Sequence, residues 1–180
     1  MLKSLLATQI AKFERRYDYD MSYARELLAI DTGAFLKFSR VMAISRYARD
    51  IPVDALFAAK ILGTMSEDCG PCTQLVVQMA EEQGVSADTL RAVLARQSEQ
   101  LPADAHLAYR YAEAVLAHAP EAEALRETVV ERWGHRALVS LAFALVSARL
   151  YPTLKYALGH GKTCVRVQVA GEAQAIPKAA

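Results

Sequence analysis

The sequence predicts an all-α fold. Apolar residues return at three- and four-residue spacing from Leu2 to Leu158, and Pro and Gly punctuate those runs where helices start and stop. No alternating run of strand-forming residues precedes Val165. Eight or nine helices are expected, and their high Ala content favours close helix–helix approach.

Taken in order, Leu2 to Tyr17 carries the first apolar face and ends in a polar, aromatic patch around Tyr17 and Tyr19. Asp20 is placed to cap a second helix through Ala29. Asp31-Thr32-Gly33 breaks the chain before a run carrying Phe35, Phe38, Val41, Met42 and Ile44. Ile51-Pro52 stops that run and starts another, with Val53, Leu56, Phe57, Ile61 and Leu62 on one side. Pro71 at the first helical position and Gly84 just past the end frame the next helix. Ser86 caps a helix over Ala87 to Gln97, and Pro102 and Pro120 head two more. After Gly134, an apolar run from Arg136 to Leu158 is expected to be interrupted at Pro152. Val165 to Val169 reads as a short strand or an extended tail, and the chain from Gly171 as frayed.

No Gly/Ser-rich linker or tandem repeat divides the 180 residues, a length that supports one buried core. Residues 1–50 form an N-terminal helical extension of the same domain, 51–164 the core and 165–180 a C-terminal tail. A formal net charge of +1 offers no pull toward nucleic acid or an anionic membrane, so neither is expected as a partner. Ala137 to Leu150, the most apolar stretch, falls short of the ~20 residues a membrane span needs and carries Arg149, so it reads as a buried core helix. Lys3, Lys12, Arg15 and Arg16 break up the N-terminal segment, which reads as no secretory signal, and a cytoplasmic location is the expectation.

The chemistry concentrates at Glu67-Asp68-Cys69-Gly70-Pro71-Cys72-Thr73. With Pro71 opening a helix, Cys69 lies just outside it and Cys72 in the first turn, and residues i and i+3 share a face on which two sulfurs can pair. Unpaired N–H groups at a helix start favour a thiolate, the reactive form of Cys. Glu67 and Asp68 oppose this by their charge, or pass protons. A structural zinc site would need two further soft ligands, and His106, His118, His135 and His160 show no paired spacing, so neither metal nor cofactor is expected. The Cys-Gly-Pro-Cys tetrapeptide also occurs in thioredoxins, but there it follows a strand in an α/β fold. Cys164 reads as an isolated small hydrophobe, and Trp133 and the tyrosines as packing residues. Arg110, Arg132, Arg136, Arg149 and Lys155 read as solvated helix-face charges.

The segments Val53 to Lys60 and Glu67 to Gln74 resemble the core of the carboxymuconolactone decarboxylase/alkylhydroperoxidase D-like family. So do Ala112-Glu113-Ala114, Trp133-Gly134, Ala137-Leu138-Val139 and Tyr151 to Gly159 further along. The resemblance implies an all-α domain of that type, preceded here by a helical extension. It also implies a homo-oligomer and a thiol-dependent peroxidase in which Cys72 attacks a hydroperoxide. Cys69 resolves the product as a disulfide, and a dithiol or thioredoxin-like reductant restores the thiols. Glu67, from its own place beside the pair, is the candidate that assists. The family's relay also places a His four residues after the second Cys and a Glu twelve before the first. Val76 and Phe57 stand at those positions. The alternative is a non-catalytic, oligomeric or small-molecule-binding member that kept the fold and lost the relay. The family's decarboxylase chemistry, which has no use for a Cys pair, ranks third.

Overall fold

A computed structural model describes residues 1–161 and 166–177. The helices are α1 (Leu2–Tyr17), α2 (Ser22–Ile30), α3 (Thr32–Ser39), α4 (Val41–Ser45), α5 (Val53–Met65), α6 (Gly70–Glu82), α7 (Ala87–Leu94), α8 (Ala103–Leu116), α9 (Ala122–Trp133) and α10 (His135–Ala157). A 3-10 turn at Ser98–Gln100 precedes α8. A two-stranded hairpin, β1 (Arg166–Val169) and β2 (Glu172–Ala175), completes the described chain. Among the described residues the fold is all-α, with this one small sheet.

Local signals account for most boundaries. The Asp31 side chain accepts the Gly33 N–H and starts α3, and the Ser86 side chain accepts the Thr89 N–H and starts α7. Asp20 accepts the Ser22 N–H at 2.9 Å, at the entrance to α2. α7 stops at Leu94, short of the expected Gln97, because Arg96 turns left-handed (φ 57°) and the Gln97 N–H returns to the Ala92 carbonyl.

α5 is the axis of the main core. Apart from Lys60 it is buried from Ala55 to Met65, and it packs against α6, α7, α8 and α10. Gly63 lets α10 come close: a Cβ there would stand 2.8 Å from that of Ala148. A second cluster is built by the N-terminal helices. Leu6, Ile10, Tyr19, Tyr23, Leu28 and Phe35 close over Leu75 of α6 and over Leu154 and Leu158 at the end of α10. The extension therefore covers the seam between α6 and the end of α10. The Arg16–Glu82 ion pair fastens it to α6 at 2.9 Å, and Glu14–Arg25 ties α1 to α2 within the extension.

Two expectations need correction. α10 runs unbroken for 23 residues through Pro152, which is itself buried. The proline denies the Ala148 carbonyl its helical donor, yet packing of both halves of the helix holds it continuous: Leu141 and Leu145 lie in the main core, Leu154 and Leu158 in the second cluster. At this length α10 is long and apolar enough to cross a membrane by length and composition, but nine of its residues are buried inside the protein, as in the core helix of a soluble one. Residues 172–177 are also ordered rather than frayed. Ala170 and Gly171, both at positive φ, form a two-residue turn, and β2 returns antiparallel with Val169 opposite Glu172. Val167 and Val169 enter the main core. Gln74 of α6 grips the Gln168 backbone at both its N–H (2.6 Å) and its carbonyl (3.2 Å).

Candidate functional site

Cys69 and Cys72 are joined in a disulfide. α6 begins one residue earlier than expected, at Gly70, with Pro71 second and Cys72 third. Cys69 is the capping residue, and its sulfur accepts the Cys72 N–H at 3.3 Å. The two sulfurs thus sit at the positive end of a 13-residue helix. The preceding turn is tight: Asp68 is exposed and left-handed (φ 50°), and its N–H bonds to the Met65 carbonyl. Thr73 braces the first turn, its hydroxyl donating to the Cys69 carbonyl at 3.1 Å and lying 3.1 Å from Thr64 Oγ1 on α5.

Both cysteines are covered, Cys69 to 2% exposure and Cys72 to 3%. The cover comes in part from the N-terminal extension. The Tyr19 hydroxyl lies 3.6 Å from Cys72 Sγ, and Lys155 Nζ of α10 donates to that hydroxyl oxygen at 3.2 Å. The Lys155 ammonium also lies over the rings of Tyr19 (4.7 Å) and Tyr23 (5.6 Å). Burial holds the phenols of Tyr19 and Tyr23 well above their ordinary pKa, so both stay protonated.

Glu67 turns toward α10. Its carboxylate accepts from Arg149 Nε at 2.6 Å and from the Thr153 hydroxyl at 3.0 Å, tying the α5–α6 turn to that helix. Val76, at the position of the family's His, packs against the main core, and Phe57, at that of its Glu, is buried in it with Lys60 over its ring. His160 pairs with Glu26 of α2. Among the described residues no group of three or more His, Cys, Asp and Glu is placed to hold a metal ion. Cys164 lies outside the described residues.

Of the cations expected on solvated helix faces, Arg132 and Arg136 are exposed and paired with Asp104 and Asp50. Lys155 overturns its expected place on the solvated surface: it is 3% exposed. The sequence carried a signal for this. Leu141, Ala144, Leu145, Ala148 and Pro152 mark the buried stripe of α10, and Lys155 falls on the same stripe three residues after Pro152. Tyr19 carries no comparable signal, since a loop tyrosine between two helices gives no periodicity to read.

Compared with protein families, curated proteins and solved structures, the chain has no significant match. The geometry stands alone. What it can do chemically follows from two sulfurs able to exchange a disulfide for two thiols at a helix N-terminus, with a phenol and an ammonium beside the inner one.

Proposed function

We propose that this chain is a thiol-dependent redox protein of the carboxymuconolactone decarboxylase/alkylhydroperoxidase D-like type, cycling Cys69 and Cys72 between dithiol and disulfide. The observation that carries the reading is the disulfide itself, closed between the capping residue and first turn of α6. In the cycle, the Cys72 thiolate attacks the outer oxygen of a hydroperoxide. The O–O bond breaks, Cys72 becomes a sulfenic acid, and the alkoxide takes a proton to leave as the alcohol. The Cys69 thiol then attacks the sulfenic sulfur, expelling water and forming the disulfide. An external dithiol returns two electrons and two protons, leaving as its own disulfide.

Cys72 is the peroxide-reacting sulfur in this scheme because it lies within the first helical turn, where backbone N–H groups and the helix dipole favour its thiolate. Cys69 resolves. Glu67 supports the site through Arg149 and Thr153. The burial of both sulfurs makes access the slow element, since an attacking molecule reaches them only through a local opening.

The resemblance also supports a homo-oligomer. Val139 and Val146, two turns apart on α10, are exposed, as are Leu2 and Leu5 on α1. Sedimentation should show dimers or larger species at micromolar concentration; a lone monomer would contradict it. The redox reading is tested by giving the reduced protein one equivalent of hydroperoxide. Conversion of the Cys69–Cys72 dithiol to disulfide, faster than free cysteine is oxidised, supports the peroxidase. Thiols that stay reduced favour the non-catalytic alternative.

A further inference from the structure

We propose that Tyr19 and Lys155 are the apparatus that holds Cys72 as a thiolate in the reduced protein, Tyr19 by donating its O–H to Cys72 Sγ and Lys155 by orienting that donor. The proposal rests on the redox reading above and assigns it two residues from elements that neither the Cys pair nor the family's relay includes.

The direction of the hydrogen bonds follows from what each group can do. An ammonium has donors and no acceptor, so Lys155 Nζ, 3.2 Å from the phenol, donates to Tyr19 Oη. In the disulfide Cys72 Sγ carries no proton, so toward the Tyr19 hydroxyl it can only accept. With its oxygen accepting from Lys155, the Tyr19 hydroxyl donates its proton to Cys72 Sγ at 3.6 Å. Burial keeps Tyr19 from ionising, so it stabilises the thiolate as a hydrogen-bond donor without surrendering its proton.

The opposing influences are identifiable. Burial of Cys72 disfavours the thiolate, and Asp20 at the entrance to α2 and Asp68 before Cys69 add negative charge. Tyr151 of α10 is neutral and held so by burial, and Glu67 is neutralised by Arg149. Although its own burial opposes its positive charge, Lys155 donates to the hydroxyl that faces the sulfur, in a setting that excludes water. The dipole of α6 acts in the same sense.

The same contact serves reduction of the disulfide. When a thiolate attacks Cys69 Sγ, the S–S bond breaks and its electron pair departs on Cys72 Sγ, the sulfur that Tyr19 faces. Cys69 is left in a mixed disulfide, which the second thiol of the reductant then resolves. Tyr19 touches a reacting atom and is a catalytic residue in this scheme; Lys155 acts through it and is a positioning residue.

The test is the pH dependence of Cys72 alkylation in the full chain carrying Cys69→Ser, followed at the Cys72 peptide by mass spectrometry. The midpoint of that profile reports thiolate formation independently of intrinsic nucleophilicity. It should lie below the ordinary cysteine value of ~8.5. Adding Tyr19→Phe or Lys155→Met should raise it by about one unit or more, about a tenfold loss of thiolate at neutral pH, and Lys155→Arg should restore it. A midpoint at or above the ordinary value in the Cys69→Ser protein overturns the proposal. So does an unchanged midpoint in folded Tyr19→Phe, which keeps the ring and its packing. These outcomes are separable from failure of the redox reading, which would show as a wild-type dithiol that hydroperoxide does not convert to disulfide.

Discussion

Cys72 and Cys69 occupy unequal places at the start of α6, the third helical position and the cap, and the chemistry proposed for them is unequal in the same way. Cys72→Ser should abolish hydroperoxide consumption. Cys69→Ser should permit one turnover ending in a sulfenic acid, trapped by dimedone and seen by mass spectrometry. The reverse pattern would exchange the two roles. On the proposed reading, Val76 and Phe57 stand where the family it resembles has His and Glu, so general acid–base assistance worth ~10²–10⁴-fold is missing from those positions and steady-state turnover should be slow. The Cys pair was legible because its i, i+3 spacing beside a proline fixes its own geometry. Its surroundings were not. Tyr19 is brought to Cys72 by packing across 53 residues of chain, and no local pattern encodes such a contact. Lys155 was misread by the general rule that lysines are exposed, although its register on α10 argued otherwise.

At the scale of elements, the close approach of α5 and α10 depends on Gly63. A methyl group there meets the Ala148 Cβ at 2.8 Å, and both atoms are fixed to helical backbones that cannot swing aside. Gly63→Ala should gain ~1 kcal/mol of helix propensity and lose more, ~1–3 kcal/mol, to overpacking. We expect a lower thermal midpoint, partly recovered by adding Ala148→Gly; a Gly63→Ala protein more stable than wild type would refute this close packing. Capping and punctuation made most helix limits readable. The exceptions have tertiary causes. Pro152 is carried through α10 because helices on both sides hold the two halves, which local propensity cannot reveal. β1 falls on the expected short strand, but the turn and the returning β2 carry no signal, because Ala170 takes a left-handed conformation usually filled by Asn, Asp or Gly.

Across the whole molecule, the N-terminal helices do more than lengthen the chain. They lay an aromatic cluster over the seam between α6 and α10 and thereby supply part of the cover of the disulfide. Their fastening is partly electrostatic. The Arg25 hydrogen bond holds the Glu14 carboxyl below the usual range, and those from Arg16 and Tyr17 do the same for Glu82. Because these carboxyls are more acidic folded than unfolded, their stabilisation is complete above the ordinary glutamate value of ~4.3 and is lost as pH falls through the lowered folded values. The thermal midpoint should therefore fall in acid, and the Glu14→Gln, Glu82→Gln double variant should show a shallower fall. An identical acid limb in the two proteins would deny these pairs any part in stability.

The reversible disulfide is the claim on which the rest stands, and the mass of the intact protein tests it most directly. Treatment of the reduced chain with one equivalent of hydroperoxide should remove two hydrogens, with the loss mapped to the peptide holding Cys69 and Cys72, and a dithiol should restore them. A mass that does not change under oxidant, or a gain of oxygen at Cys72 with no disulfide to Cys69, would contradict the account.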